Sequence, residues 1–416
     1  TLTRNGNYIN GLTYTITLPT GSITDTAGNT LATAFTSKFT IDTIKPTVTA
    51  NLASGVYNTA KSVILTAKDN LDTKPSIYYT TNGSTPTTSS TKYTAPISIS
   101  KTTTLKFMAR DNAGNQAPIQ TVHYIFSPVG NINTGKGYNK IQDAVSDSLT
   151  LNGHTIEVGS GTRTENIIIN KKLTIKPASG GTVTVKALNS SKPIFTINKS
   201  GSGSLIHGFV ISGALNSYGL LLDGCSNCTI DGNTITNNYF GILTNTTKTT
   251  NNTIINNNIT LNQELGIGTW NSDNCVIYGN TITYNGYGGM TIFDSNNCII
   301  HTNLIMENFG PDTDYSSGIL ISGSNDTIIS NNLLPKNIFG IYIDYCENCT
   351  VYGNLIAQGM VGIYTDYSSV DINFNRIAIN LDYELINENG DVDATNNWWG
   401  SNSNPLNLGE IISENG

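Results

Sequence analysis

Charge is scarce in this chain. Only 12% of its 416 residues are Asp, Glu, Lys or Arg, and 22 basic against 29 acidic residues leave a formal net charge of −7. No basic stripe is available to neutralise phosphates, which excludes nucleic acid as the partner. No apolar run approaches the ~18 residues that span a bilayer, so no membrane-crossing helix is expected. Four Met and four His, the latter scattered at positions 123, 154, 207 and 301, do not make a soft-metal cluster. Helical periodicity is almost missing as well. Residues 140–149, with Ile141, Ala144, Val145 and Leu149 on one face, form the one credible helix. The chain opens on Thr1 with neither Met nor a signal peptide, which reads as a cut point rather than a start.

What the sequence has in abundance is Asn, Gly and Thr, and they recur. Aligned on Asn-x-Ile or Asn-x-Leu, the phrase returns at Asn233, Asn257, Asn280, Asn303, Asn332, Asn354 and Asn375, with steps of 24, 23, 23, 29, 22 and 21. A Gly followed by an apolar residue keeps the same beat at Gly219, Gly241, Gly266, Gly289, Gly318, Gly340 and Gly362. A fixed period in this range marks a solenoid. Three short, β-branched segments per period, joined by Asn and Gly that tolerate left-handed corners, predict a three-faced coil rather than a helical repeat. Stacked at ~4.8 Å, such coils place equivalent residues in ladders and bury an interior that no coil can bury alone. The expectation is an all-β chain whose main body is a right-handed parallel β-helix, the hand being the rule for parallel crossovers.

The ladders yield candidate functional residues. Counting from each Gly, the first and third residues point inward, so the second and fourth point out. The outward set is Leu243, Thr291, Leu320, Tyr342 and Tyr364, then Asp223, Asn245, Trp270, Phe293, Ser322, Asp344 and Asp366. Asp344 and Asp366 fall in adjacent coils, ~4.8 Å apart at the backbone. Acids that close can share a proton, hold calcium, or act as acid and nucleophile in a retaining hydrolysis. Trp270, Phe293, Tyr342 and Tyr364 are the candidate platforms for sugar rings. The 29-residue step adds a loop over residues 309–317, with Asp312 and Asp314, beside this face. The alternative is a solvated face whose acids happen to stack. Neither the Gly-His-Gly and Asn-Thr-Asp motifs of polygalacturonases nor the Asp-Pro-His cluster of alginate epimerases is present. The basic proton acceptor that a lyase needs is missing from the outward set.

Cys225-x-x-Cys228 and Cys346-x-x-Cys349 lie five coils apart, ~24 Å, and cannot share one zinc ion. Cys228, Cys275, Cys298 and Cys349 occupy one repeat position and read as an inward ladder, in which Cys275 and Cys298 come within bridging reach.

The front of the chain carries resemblances. Residues 1–42, with the turn Asp25-Thr-Ala-Gly-Asn29, resemble the trailing strands of a bacterial Ig-like domain whose leading strands are missing. Residues 46–126 have strands expected at 63–67, 77–81, 97–99, 104–110 and 122–126. Ile77-Tyr-Tyr-Thr-Thr-Asn-Gly-Ser-Thr-Pro-Thr87 and Asp111-Asn-Ala-Gly-Asn115 resemble the Ig-like accessory domain at the C-terminus of chitobiases, a spacer without catalytic residues. Asp25 and Asp111 are expected to tie their own turns, with calcium the sharper alternative. The helix at 140–149 and the strands after it resemble the opening of pectate-lyase-like β-helices, including the copper-insertion proteins of nitrous oxide reductase. Asp393-Ala-Thr-Asn-Asn-Trp-Trp-Gly400, with Asn404-Pro405, is similar to the closing motif of adhesin-like β-helix proteins of methanogenic archaea. Trp398 and Trp399 are expected to plug the last coil, a carbohydrate platform being the alternative.

The predicted organisation is therefore an incomplete Ig-like piece over 1–42, a chitobiase-type Ig-like sandwich over 43–127, a linker over 128–139 and the β-helix over 140–416. These resemblances imply a non-catalytic, extracellular surface or envelope protein that presents a β-helix face to carbohydrate or another cell. They also imply self-assembly by strand addition through the incomplete first domain. A polysaccharide lyase, hydrolase or epimerase using Asp344 and Asp366 is the competing class. No cofactor is expected beyond a calcium ion that this pair could accept.

Overall fold

The computed structural model describes residues 7–244, 247–309 and 316–400, together with the backbone of strand Ile411–Ser413. The chain divides into two compact units, Thr1–Phe126 and Ser127–Gly416.

In the first unit, Thr13–Leu18 pairs antiparallel with Phe35–Thr40. Ile9, Leu12, Ile23 and Phe35 are exposed, so this hairpin has no core of its own among the described residues. Asp25 ties the intervening turn, its Oδ1 accepting from the Ala27 and Asn29 N–H groups at 2.9 Å each. The rest of the unit is built on five strands in the order Gly55–Val56, Gln120–Ile125, Thr103–Arg110, Ser76–Thr80 and Thr91–Lys92. Two smaller pairings, Thr47–Ala50 with Leu65–Lys68 and Lys61–Val63 with Ile97–Ile99, complete it. Both sets contribute to one core of Val63, Leu65, Ile99, Leu105, Phe107 and Tyr124.

The second unit is a parallel β-helix with three sheets of 13, 10 and 11 strands. One coil shows the plan: Val276–Tyr278 in the first sheet, Thr281–Thr283 in the second and Gly288–Phe293 in the third. The three-residue strands turn one side chain inward, here Ile277 and Ile282, and each pairs in register with its counterparts in the coils on either side. Corners are turned by residues at positive φ, as at Asn227, Asn251, Asn274, Asn297 and Asn348, where a short polar side chain makes the left-handed conformation tolerable.

Buried asparagines hold the coils in register. Asn257, Asn280, Asn303, Asn332 and Asn354 are each about 1–2% exposed. The Asn280 Nδ2 donates to the Asn303 Oδ1 at 3.0 Å, to the Ile254 carbonyl at 2.9 Å and to the Tyr278 carbonyl at 3.1 Å. The Asn303 Oδ1 also accepts the Asn280 backbone N–H at 3.0 Å. This pattern runs from Asn233 to Asn397, and a second ladder runs through Asn238, Asn262, Asn285, Asn308 and Asn337. The 29-residue step leaves it intact, since Asn303 Nδ2 still meets Asn332 Oδ1 at 3.0 Å. Asp312 and Asp314 of that step lie outside the described residues.

Three expectations change at the edges. The stretch 128–139, read as a linker, is paired structure: Val129–Asn131 and Lys136–Tyr138 form a hairpin whose first strand joins Thr155–Val158. Its Asn131 is fully buried and does structural work, accepting the Asn133 N–H at 3.0 Å and donating to the Thr150 hydroxyl at 2.9 Å. The helix is shorter than expected, Ile141–Ser146, because Asp147 turns the chain and leaves Leu149 exposed. Ile141, Ala144 and Val145 cover the first coil, and Glu165 accepts the Ile141 and Gln142 N–H groups at 3.0 Å each. At the other end only Trp399 enters the core; Trp398 lies outside against the Arg376 guanidinium at 4.5 Å.

Cys225, Cys228, Cys275 and Cys298 are free and buried, and the disulfide joins Cys346 to Cys349 within one coil rather than Cys275 to Cys298 between coils.

Asn280→Ala leaves the Asn257 backbone N–H without its acceptor and takes one donor each from the Ile254 and Tyr278 carbonyls and from the Asn303 side chain in a dry interior, and is expected to cost about 1–3 kcal/mol. Asn258→Ala, at an exposed position of the equivalent strand in the preceding coil, should stay within about 0.5 kcal/mol. Urea unfolding of the two variants, followed alongside amide exchange in the flanking coils, checks the contrast.

Candidate functional site

The third sheet differs from the other two. Most of its strands from Tyr218–Asp223 to Tyr383–Asn387 have five or six residues, against mostly two to four in the other sheets. The cause is the repeating Gly. A Cβ at Gly241 would lie 2.4 Å from the Gly266 carbonyl oxygen and 2.8 Å from Ile259 Cγ2. The Gly therefore faces the interior, and so does the residue after it. Two inward residues in succession shift the alternation, so the residue before each Gly points outward. This third outward column contains Tyr218, Phe240, Leu265, Phe339, Val361 and Tyr383, and counting from the Gly overlooks it. Ile242, Thr244 and their ladder equivalents face inward as the count has it. Leu243 departs from it: although outward, it is 1% exposed, and it lies where a Cβ on Gly268 would meet its Cδ1 at 2.7 Å.

The added column completes a hollow. Phe240, Trp270, Tyr287, Phe293, Leu265 and Leu320 surround a cavity of about 470 Å³ with Glu264 at its rim. Phe240 and Trp270 stand edge to face at 6.2 Å and 78°. Gly268 and Gly288 occupy outward positions beside it, and the space above them is taken by the Leu243 and Leu265 side chains, while Thr291 lines the hollow itself. Of the residues expected to face sugars, Trp270 and Phe293 are therefore ladder partners on this hollow. Asn245 lies outside the described residues.

Tyr342 and Tyr364 form a second cluster farther along the sheet. Their rings stack at 4.6 Å and 21°, with Phe339 edge-on to both at 5.5 and 5.8 Å. Burial, and then a hydrogen bond with Glu388, pushes the Tyr364 phenol up, so it stays protonated well past neutral pH. Beside them Asp344 and Asp366 are register partners. The Asp366 carboxylate accepts the Asn389 amide at 2.8 Å, whereas Asp344 Oδ1 is buried with no hydrogen-bond partner. Burial first, and the Asp366 charge second, raise the Asp344 carboxyl above the ordinary aspartate range. No strand of this sheet from residue 218 to 387 contains Lys, Arg or His.

Two other groupings come from coils or segments that the sequence keeps apart. His207 Nδ1 meets Asp231 Oδ2 at 2.8 Å, a carboxylate supplied by the next coil of the first sheet. Asp42, Asp69 and Asp111 bring one carboxylate oxygen each within 4.8 Å of the others. Asp111 also ties its own turn, accepting from the Gly114 and Asn115 N–H groups at 2.7 and 2.8 Å.

Known proteins were compared with the chain. Residues 52–121 match the chitobiase/beta-hexosaminidase C-terminal domain, residues 193–356 the right-handed beta helix region, and residues 312–410 the periplasmic copper-binding protein (NosD) family. A cell surface glycoprotein of Methanothermus fervidus is 41% identical over 111 residues, which is 27% of this chain and 18% of that protein. Among solved structures, the Dettilon tailspike protein is 17% identical, covering 62% of each chain with a TM-score of 0.47. A pectate lyase is 16% identical over 69% of this chain and 80% of its own, with a TM-score of 0.39. A surface adhesin of Streptococcus pneumoniae is 14% identical over 61% and 74%, with a TM-score of 0.40.

Because the folded state holds the Asp344 proton more tightly than the unfolded chain does, stability falls as pH rises from the unfolded value of ~3.9 through the raised folded value. The cost persists above both. Asp344→Asn is therefore expected to raise the thermal midpoint at pH 7, with the gain vanishing as the pH approaches ~3. A gain that is flat with pH in differential scanning fluorimetry would rule out the electrostatic cause.

Proposed function

We propose that this chain is part of a non-catalytic protein at the cell surface that binds glycans on the outer face of its third sheet. The cell-surface location follows the Methanothermus fervidus relative, described as a cell surface glycoprotein, and agrees with the match to a periplasmic protein family. The observation that carries the binding role is the aromatic hollow at Phe240, Trp270, Tyr287 and Phe293. Apolar patches left open on a surface mark places of contact. Flat rings flanking a cleft offer stacking faces to the C–H side of a sugar ring while the polar rim meets its hydroxyls. The stacked Tyr342 and Tyr364 extend the same strip by two coils beyond Leu320. A chain of sugars lying along the helix axis engages both clusters.

The paired acids favour a second reading. Asp344, with its raised carboxyl, and Asp366 as register partner have the environments of an acid and a base or nucleophile in a glycoside hydrolase. The absence of Lys, Arg and His from the strands of this face counts against lyase and epimerase chemistry, which removes a C–H proton. Assembly into an envelope layer or filament is the remaining role. The exposed apolar residues of the hairpin Thr13–Leu18 and Phe35–Thr40 are suited to receive strands from a neighbour.

A glycan array is expected to show binding that Trp270→Ala weakens by roughly 2- to 10-fold, the worth of one ring stack. Tyr364→Ala should act in the same direction. Assays for reducing ends and unsaturated products on neutral and uronate polysaccharides, with and without calcium, should show no turnover. Turnover that disappears in Asp344→Asn would replace the binding role with the enzymatic one.

A further inference from the structure

We infer that the ligand of this face is an uncharged glycan and that the strip discriminates against uronic-acid and sulfated polymers. The inference rests on the glycan-binding reading above and adds the chemical class. Its basis is the distribution of charge along the strip. Eight successive strands, Tyr218–Asp223, Phe240–Thr244, Leu265–Trp270, Gly288–Phe293, Ser317–Ser322, Phe339–Asp344, Val361–Asp366 and Tyr383–Asn387, contain no Lys, Arg or His. Outward on the same columns stand Asp223, Asp344 and Asp366, with Glu264 at the rim of the hollow. Lys248, in the corner after Phe240–Thr244, is already held at 2.7 Å by Asp273. Lys336 is paired with Glu307 at 3.0 Å.

A polymer with a carboxylate on every sugar would thus run past a row of like charges with no Lys, Arg or His on those eight strands to receive it. Proteins that bind anionic chains place Arg or Lys where carboxylates or sulfates arrive. This strip presents rings instead, and the hollow's walls of Phe240, Trp270 and Phe293, with Thr291 and Leu320 beside them, suit the unsubstituted C–H face of a neutral hexose. The acids that remain can accept hydrogen bonds from sugar hydroxyls, a role for which an uncharged donor-rich ligand is the complement.

The test uses matched oligosaccharides of equal length and linkage: oligomannose against oligomannuronate, and oligogalactose against oligogalacturonate. Binding to the whole chain is measured by calorimetry at 0.01 M and 1 M NaCl. Neutral oligomers are expected to bind with little salt dependence. Their uronate counterparts should bind at least ~10-fold more weakly at 0.01 M, where the screening length is ~30 Å, and the gap should narrow at 1 M, where it is ~3 Å. Glu264→Gln should narrow the gap at low salt, with a melting curve to confirm folding; the salt series on the unaltered protein needs no variant. Equal or tighter binding of the uronates at 0.01 M overturns the inference and leaves glycan binding standing. If no oligomer of either kind, and no glycan on the array, is bound, the glycan-binding reading itself fails and the inference goes with it.

Discussion

An asparagine amide buried at a coil corner is the constraint on which the β-helix depends. In a dry interior an unpaired amide or carbonyl is costly, so each Asn must find every partner it can make. The Oδ1 of one coil receives both the backbone N–H and the Nδ2 of the coil before it, while its own Nδ2 reaches carbonyls in two coils, as at Asn257 and Asn280. Slipping the register by one residue would put Gly279 or Thr281 where the Asn280 amide stands and strand the ladder there. Hydrophobic burial by Ile230, Ile254, Ile277 and Ile300 drives the stacking and already penalises a one-residue slip, which would turn each Ile outward. Directional bonding adds to that penalty.

That rigid registration is what allows a binding surface to exist on residues far apart in the chain. Trp270 and Phe293 are 23 positions apart and become ladder neighbours; Asp344 and Asp366 do the same across 22. The corners and ladders absorb insertions without disturbing the sheet, as the intact Asn303–Asn332 contact shows. A solenoid of this kind can vary its outward columns freely, because the interior pattern occupies other positions. The third sheet uses that freedom most, since its inward Gly lengthens the strand and presents three outward columns.

Within the first unit, polar side chains fix turns where the β-helix uses them to fix coils. Asp25 and Asp111 each fold an Asn side chain back on themselves, through the Asn29 and Asn115 amides at 2.9 and 2.8 Å. The same Asn115 amide reaches the Asp42 carbonyl at 3.1 Å, bringing the end of the first strand pair to the Asp111 turn. Asp42, Asp69 and Asp111 meet there although their neighbours in sequence give no hint of a shared site.

Period and residue type were enough to read the three-sheet coil, the inward Ile and Asn, the paired acids and half of the aromatic strip, because a parallel stack converts spacing directly into adjacency. They also sufficed for the two turn-tying aspartates, whose partners lie within four residues. What they could not supply was anything set by a close approach between coils. The outward column of Tyr218, Phe240 and Phe339 follows from the Gly backbones having no room for a Cβ. The His207–Asp231 pair, the buried hairpin around Asn131 and the split fates of Trp398 and Trp399 follow from which neighbour each side chain meets. Local pattern decides what repeats; only the folded stack decides which side chain at each turn is sealed from water and which is left to meet a ligand.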